Sequence, residues 1–379
     1  MMKLFKLVAK NLGRRKGRTA FTVFGVASAL AMLVLVESLG TGMSRAMDST
    51  DAARTLVVFR KNRYCPQTSF LPESYTRRIE DLAGVESILP VKVFLNNCRA
   101  SLDLVTFQGA PVETLLEQRN VRMVAGDAEA FRRQHDAALV GAEFAQRKGL
   151  GVGDRFRFGD IDVKVTGIFE SDETTHESLI LTHLEYLQRA GPVDRLGTVT
   201  QFEVFAEADV DVKDLATRID GLFATAEEPT DTRPRVAYLE SATRDLREIL
   251  RFGRLLALAC VAVVLSLVAN TILMSVQERV RELGVMRSLG FRESHVVVLI
   301  LGEALALAGL GALIGVGGAL FLLGSMPLAI GSEGVTVSFA VTPGLVARGF
   351  AVAIATGVVA GLVPAIQSSR RGIVDSLGN

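Results

Sequence analysis

The 379 residues lack every short motif by which a chain of this size handles nucleotides or cleaves bonds unaided. There is no GxxxxGK[ST] loop to cradle phosphates on backbone N–H groups, no HExxH pair to hold zinc, and no GxSxG nucleophile turn. The four histidines (135, 176, 183 and 295) are scattered. The loop FESDETTHES brings Glu170, Asp172, Glu173, His176 and Glu177 close in sequence. It has neither EF-hand spacing nor a histidine pair, so it reads as a solvated acidic loop and not a cation site. No catalytic residue and no metal site is assigned. The chain is read as a non-enzyme, and any energy it uses must come from a partner.

Charge of one sign is missing in two places. The first eighteen residues hold seven Lys and Arg and no acid, and residues 326–342 contain no Lys or Arg. The net charge of +1 argues against nucleic acid as a partner. Cysteine is also scarce, at three. Cys260 falls in an apolar run, while Cys65 and Cys98 fall in a polar insert. If that insert lies outside the cytoplasm, Cys65 and Cys98 can pair; spacing alone leaves open two separate thiols.

What the chain has in quantity is apolar length. Hydrophobic residues make up 49% and mean hydropathy is +0.34, beside 22% charge, so the charge must be segregated. Four runs reach the ~20 residues that a ~30 Å hydrocarbon core requires. They divide the chain into a basic amphipathic segment 1–18, span one 19–40, an insert 41–253 with helical stalk ends, span two 254–276, a charged bend 277–295, span three 296–323, an outer loop 324–344, span four 345–365 and a tail 366–379. The N-terminus, the bend and the tail are the basic segments. Positive-inside reasoning therefore puts all three in the cytoplasm and the insert outside. Span one lacks a small-residue cleavage site and reads as an uncleaved anchor. In the insert, strand-like and helix-like segments alternate, which predicts an α+β domain, with Arg155–Phe158 and Ile161–Phe169 as a hairpin.

Spans three and four carry small residues at four-residue spacing, Gly311 and Gly315 in one and Gly349, Ala353, Gly357 and Gly361 in the other, as close-packed helices in lipid require. Two polar residues lie within the spans, Asn270 and Glu303. A carboxylate at mid-bilayer costs on the order of 3 kcal/mol on insertion scales, so Glu303 needs a partner or a wet cleft. Asn270 is the expected neighbour; the alternative is that Glu303 is shallow and half solvated. The bend QERVRELGVMRSLGFRESH reads as a lever. Val280, Leu283 and Met286 give it an apolar face, Arg279, Arg281, Glu282 and Arg287 a polar one, and Gly284 and Gly290 let the chain turn.

These runs carry a family resemblance. ERVRELGVMRSLGFRESHV, LILGEALALAGLGALIGVGGAL and the closing GLVPAIQSSRRGIVDSLG together resemble the FtsX/MacB-type (type VII) ABC transporter permease. So does LVAKNLGRRKGRTAFTVFGV at the start, and ALVGAEFAQRKGLGVGDRFRFGDIDVKVTGIFES resembles the core of the MacB-type extracytoplasmic domain. The resemblance implies a bacterial inner-membrane protein with four transmembrane helices and a MacB-like domain inserted between the first two. It implies a coupling helix that docks on an ATPase, here at Glu278, Arg279, Glu282, Gly284, Met286, Arg287, Leu289 and Gly290. The implied partners are a cytoplasmic ABC ATPase dimer that holds the ATP and Mg, a second permease copy (identical or paralogous), membrane lipids, and a periplasmic adaptor or outer-membrane channel. The implied task is export or extraction of a lipid, lipoprotein, peptide or drug by mechanotransmission. Activation of a cell-wall hydrolase or a sensor kinase, and an anchored scaffold without energy input, stay open beside it.

Overall fold

The computed structural model describes residues 8, 10, 11, 13–47, 54–63, 68–96, 104–173, 175–288, 292–326, 328–332 and 334–370, without the side chains of 283, 287, 332 and 368–370. Cys65, Cys98, Leu289 and Gly290 lie outside the described residues. The chain divides into two compact units. One comprises Met1–Gly40, Leu250–Ser325 and Ala340–Asn379; the other comprises Thr41–Ile249 and Met326–Phe339.

The first unit is helical. Lys16–Met47, Arg244–Glu278, Glu293–Ser325 and Pro343–Gln367 are each long and apolar enough to cross a membrane. Each extends beyond the apolar run that specifies it, and the Arg244–Glu278 helix reaches 35 residues. Their shared core is built from Val26, Leu30 and Val34 of span one, Val268 and Ile272 of span two, Ile300, Leu307 and Val316 of span three, and Ala353 and Ala360 of span four. Small residues set the spacing. A Cβ on Gly315 would overlap the Ala27 carbonyl oxygen, and one on Gly361 would sit 2.8 Å from the Ala304 methyl. Backbones approach this closely only where side chains are absent, and dispersion then holds them together. Thr22 and Thr271 exchange a buried 2.9 Å hydrogen bond between spans one and two.

The second unit is organised by one mixed sheet. Its strands in chain order are β1 Thr55–Arg60, β2 Leu71–Pro72, β3 Val85–Leu95, β4 Thr106–Ala110, β5 Arg122–Gly126, β6 Ala137–Gly141, β7 Arg155–Phe158, β8 Ile161–Glu170, β9 Ile180–His183, β10 Thr198–Val199, β11 Gln201–Ala206, β12 Thr230–Pro234, β13 Ala329–Ser332 and β14 Val335–Ser338. The large sheet runs β12-β1-β11-β3-β4-β9-β6-β8-β5, with β7 hairpinned onto β8. The β4–β9 and β6–β8 pairs are parallel, and the rest of the large sheet is antiparallel. Pro90 sits inside the central strand β3 because the register with β4 begins only at Lys92, so its missing N–H is not asked for on that side. At one end Leu56, Val58, Phe202 and Val204 pack under the helix Val212–Leu222. At the other, Leu139, Phe169 and Leu181 form one core and Val140, Val163 and Val165 a second. In β8, Val163 and Val165 pack into the second of these cores and Phe169 into the first, with a register shift in the β6–β8 pair between them.

The segment between spans three and four is more than a loop. β13 and β14 form a hairpin whose Val335 packs with Leu239 and Ala242, and whose Ser338 hydroxyl meets the Glu143 carboxylate.

Candidate functional site

Charged residues gather at the end of span two. The helix stops at Glu278, Arg279 forms a turn, and a second helix runs Val280–Ser288. Arg279 does not join the polar outer face expected for it. Its guanidinium donates to Glu303 Oε1 at 2.7 Å and Oε2 at 3.3 Å, and also to the Ser275 hydroxyl. Asn11 Nδ2 donates to Glu303 Oε1 at 2.6 Å, and the Ser275 hydroxyl to Oε2 at 3.3 Å. Glu303 is 5% exposed, so neither of the two solvation states expected for it holds. It is neither half solvated nor beside Asn270. Ser275 and Arg279 are four apart and share one helix face; Asn270, nine residues before Arg279, points about 180° away and is exposed.

Around this buried pair lies a second, looser shell. Glu278 accepts from Arg18 at 3.0 Å and lies 3.2 Å from Arg15, and Glu282 accepts from Arg14 at 2.9 Å. The acids of the bend thus face the basic N-terminal segment. Of its described residues, 8, 10, 11, 13 and 14 are helical, and Val8 and Asn11 are buried. Of the remaining bend residues, Arg281 is exposed, Val280 and Met286 are half-buried and Gly284 is buried. The floor and walls of the cluster line an open cavity of about 280 Å³.

A second polar cluster, which the sequence did not reveal, sits inside the sheet domain. Arg119 follows the helix Val112–Gln118 and grips Glu203 of β11 with two hydrogen bonds of 2.7 Å. Gln108 accepts from Arg119 at 3.0 Å and Gln201 donates to Glu203 at 3.1 Å. The expected solvated acidic loop is in fact folded against this pair. His176 is 4% exposed, and Arg235 donates to its Nε2 at 3.0 Å and to Glu173 at 2.5 Å. The reason is the two arginines, which are distant in sequence and supply the partners that the loop itself lacks. Among the described residues no group of three or more His, Cys, Asp and Glu is placed to hold a metal.

The protonation states follow from this packing. Burial alone would raise the Glu203 carboxyl; Arg119, through charge and hydrogen bonds, with Arg235 and Gln201, brings it instead down to about 2. Burial, then the charges of Arg119 and Arg235, hold His176 well below its ordinary range, so it is neutral at pH 7. Since Arg235 donates to Nε2, the proton belongs on Nδ1, which faces the Ser171 oxygen at 3.3 Å; that hydroxyl donates onward to the Arg119 carbonyl at 2.7 Å. Burial, helped by Arg195, lowers Lys92 to about 8.

Residues 254–373 match the family model of the FtsX-like permease C-terminal domain, and residues 19–222, more than half of the chain, match that of the MacB-like periplasmic core domain. The chain belongs to the FtsX/MacB permease family. As an FtsX/MacB permease it consists of four transmembrane helices with a MacB-like α+β domain between the first and second. Among its relatives is the pyoverdine export ATP-binding/permease protein PvdT of Pseudomonas fluorescens, 25% identical over 95% of this chain and 57% of that protein. Another is the macrolide export ATP-binding/permease protein MacB of Rhodospirillum rubrum, 25% identical over 96% of this chain and 58% of that protein. The chain therefore spans little more than half the length of these relatives. The crystal structure of the periplasmic region of MacB from Actinobacillus actinomycetemcomitans is also similar, with a TM-score of 0.38 and 9% identity over 50% of this chain and 92% of that one.

Proposed function

We propose that this permease is the membrane subunit of an ATP-driven exporter of the MacB type. A separate cytoplasmic ATPase, holding ATP and Mg, docks on the bend 277–295 and drives the extracytoplasmic domain by mechanotransmission. The observation that carries this reading is the position of Arg279. It sits in the turn between the span-two helix and the bend helix, and it is bonded to Glu303 inside span three. A force on the bend is thereby delivered to spans two and three at once. Glu278 and Glu282 pass it to the N-terminal segment as well. The 35-residue helix that ends at the bend begins at Arg244, and a continuous helix transmits displacement along its axis. The names of the relatives, which join an ATP-binding part to a permease, support the same division of labour. The chain works as a dimer, with its termini and bend in the cytoplasm, together with an adaptor or channel outside. Its cargo is a lipid, lipoprotein, peptide or drug.

The test is purification of the tagged chain from its host in mild detergent, with mass spectrometry of what accompanies it. A P-loop ATPase should co-purify and be lost on Met286→Asp. A chain that emerges alone under several gentle conditions would sink the reading.

A further inference from the structure

We propose that the cavity beside the bend is a binding site for the phosphate headgroup of an anionic membrane lipid. It is a cavity of about 280 Å³, with room for a headgroup but not for a large cargo. Its lining carries the guanidinium groups of Arg14, Arg15, Arg18 and Arg279 against the carboxylates of Glu278 and Glu303, and with Glu282, which holds Arg14 from beside the cavity, one positive charge remains in excess. A phosphodiester supplies the missing negative charge, and guanidinium forks match phosphate oxygens two at a time.

The ion pairs already present differ in how readily they yield. Arg279 and Glu303 are 14% and 6% exposed and form a fixed wall. Arg14 and Arg15 are 49% and 63% exposed, and their bridges to Glu282 and Glu278 are of the surface kind, worth at most about 1 kcal/mol. They can turn to an arriving phosphate at little cost. Depth favours a lipid over a soluble phosphate. The cavity lies between the first turn of span one, at Thr19, and the last turns of span two, at Ser275 and Glu278, where headgroups meet hydrocarbon. Ile272 and Leu307 give it an apolar end. The proposal requires only that the four helices span a membrane; it stands apart from the exporter reading, and its test contains no ATPase.

The full chain, delipidated in detergent, would be titrated with palmitoyl-oleoyl phosphatidylglycerol, with the phosphatidylcholine of the same chains, and with inorganic phosphate, and followed by native mass spectrometry. One saturable phosphatidylglycerol per chain is expected, bound about tenfold or more tightly than phosphatidylcholine and weakened by salt. Each arginine near a membrane surface contributes about fivefold, so Arg14→Gln with Arg15→Gln should weaken phosphatidylglycerol by about 25-fold. Arg14→Lys with Arg15→Lys should fall between the parent chain and the glutamine variant, because the charge is kept and the two-oxygen fork is lost. Should the double glutamine variant fail to fold, the single Arg15→Gln still reads about fivefold. Equal binding of the two lipids, or undiminished binding by the glutamine variants, would overturn the site. Full competition by inorganic phosphate would overturn the lipid as its occupant and assign a soluble phosphate instead.

Discussion

Glu203→Gln should loosen the sheet domain by several kcal/mol, although Gln has the same shape. Two independent routes give the size. The carboxyl is held at about 2, against 4.5 for a free group, and a shift of that extent corresponds to roughly 3 kcal/mol of stability at neutral pH. Separately, removing one partner of a buried ion pair leaves the other uncompensated at a cost of about 3–5 kcal/mol, and here Arg119 and Glu203 are 1% and 5% exposed. Amide hydrogen exchange on the full chain in detergent reads the effect locally. Peptides covering 112–119 and 199–206 should exchange about 150-fold faster or more at pH 7. Arg119→Met should do the same, and the double variant should cost less than the sum by about 2 kcal/mol, because no lone charge remains. A change below about 1 kcal/mol in either single variant, or strict additivity, would show that the pair is not buried as described.

Three further outcomes follow from other features. His176 is held neutral by burial and by two arginines, so the unfolded chain takes up a proton that the folded one refuses; stability should fall as pH drops below about 6.5, by up to about 1.4 kcal/mol per pH unit, and His176→Gln should remove that component from the pH dependence of domain exchange. Arg279→Gln leaves Glu303 buried with only Asn11 and Ser275, and should lower the thermal midpoint in detergent by an amount that Arg279→Gln with Glu303→Gln partly restores. Gly315→Ala drives a methyl into the Ala27 backbone and should cost about 1–3 kcal/mol by the same measurement, whereas Gly317→Ala, with open space around it, should be neutral or slightly stabilising.

The four spans were legible because bilayer thickness imposes a length on an apolar run, and the glycine spacing was legible because close packing leaves a period. Several strands of the insert were legible for a similar local reason: β1, β7 and β8 stand where β-branched and aromatic residues cluster between turns. The partner of Glu303 was not. Arg279 reads as one more basic residue of a cytoplasmic bend, and only the i, i+4 relation of Ser275 and Arg279 hints that both face inward. The Arg119–Glu203 pair had no sequence signal at all, since 84 positions separate residues that the sheet brings together. The alternation Val335, Thr336, Val337, Ser338 does carry a strand signal, but its place between two spans made it read as a plain loop.

That hairpin also bears on how the protein is made. The sheet domain draws on residues 41–249 and then on 326–339, with 76 residues of helical membrane chain between the two pieces. Leu104 occupies the space over Gly331, and Glu143 awaits Ser338. At a synthesis rate of 5–20 residues per second, the ribosome reaches the second piece roughly 4–15 s after finishing the first. Until span three has been inserted and the hairpin handed back across the membrane, Leu104, Leu239 and Ala242 wait without their cover. Completion of the sheet domain thus depends on insertion: a chain whose third span fails to cross cannot deliver its last two strands.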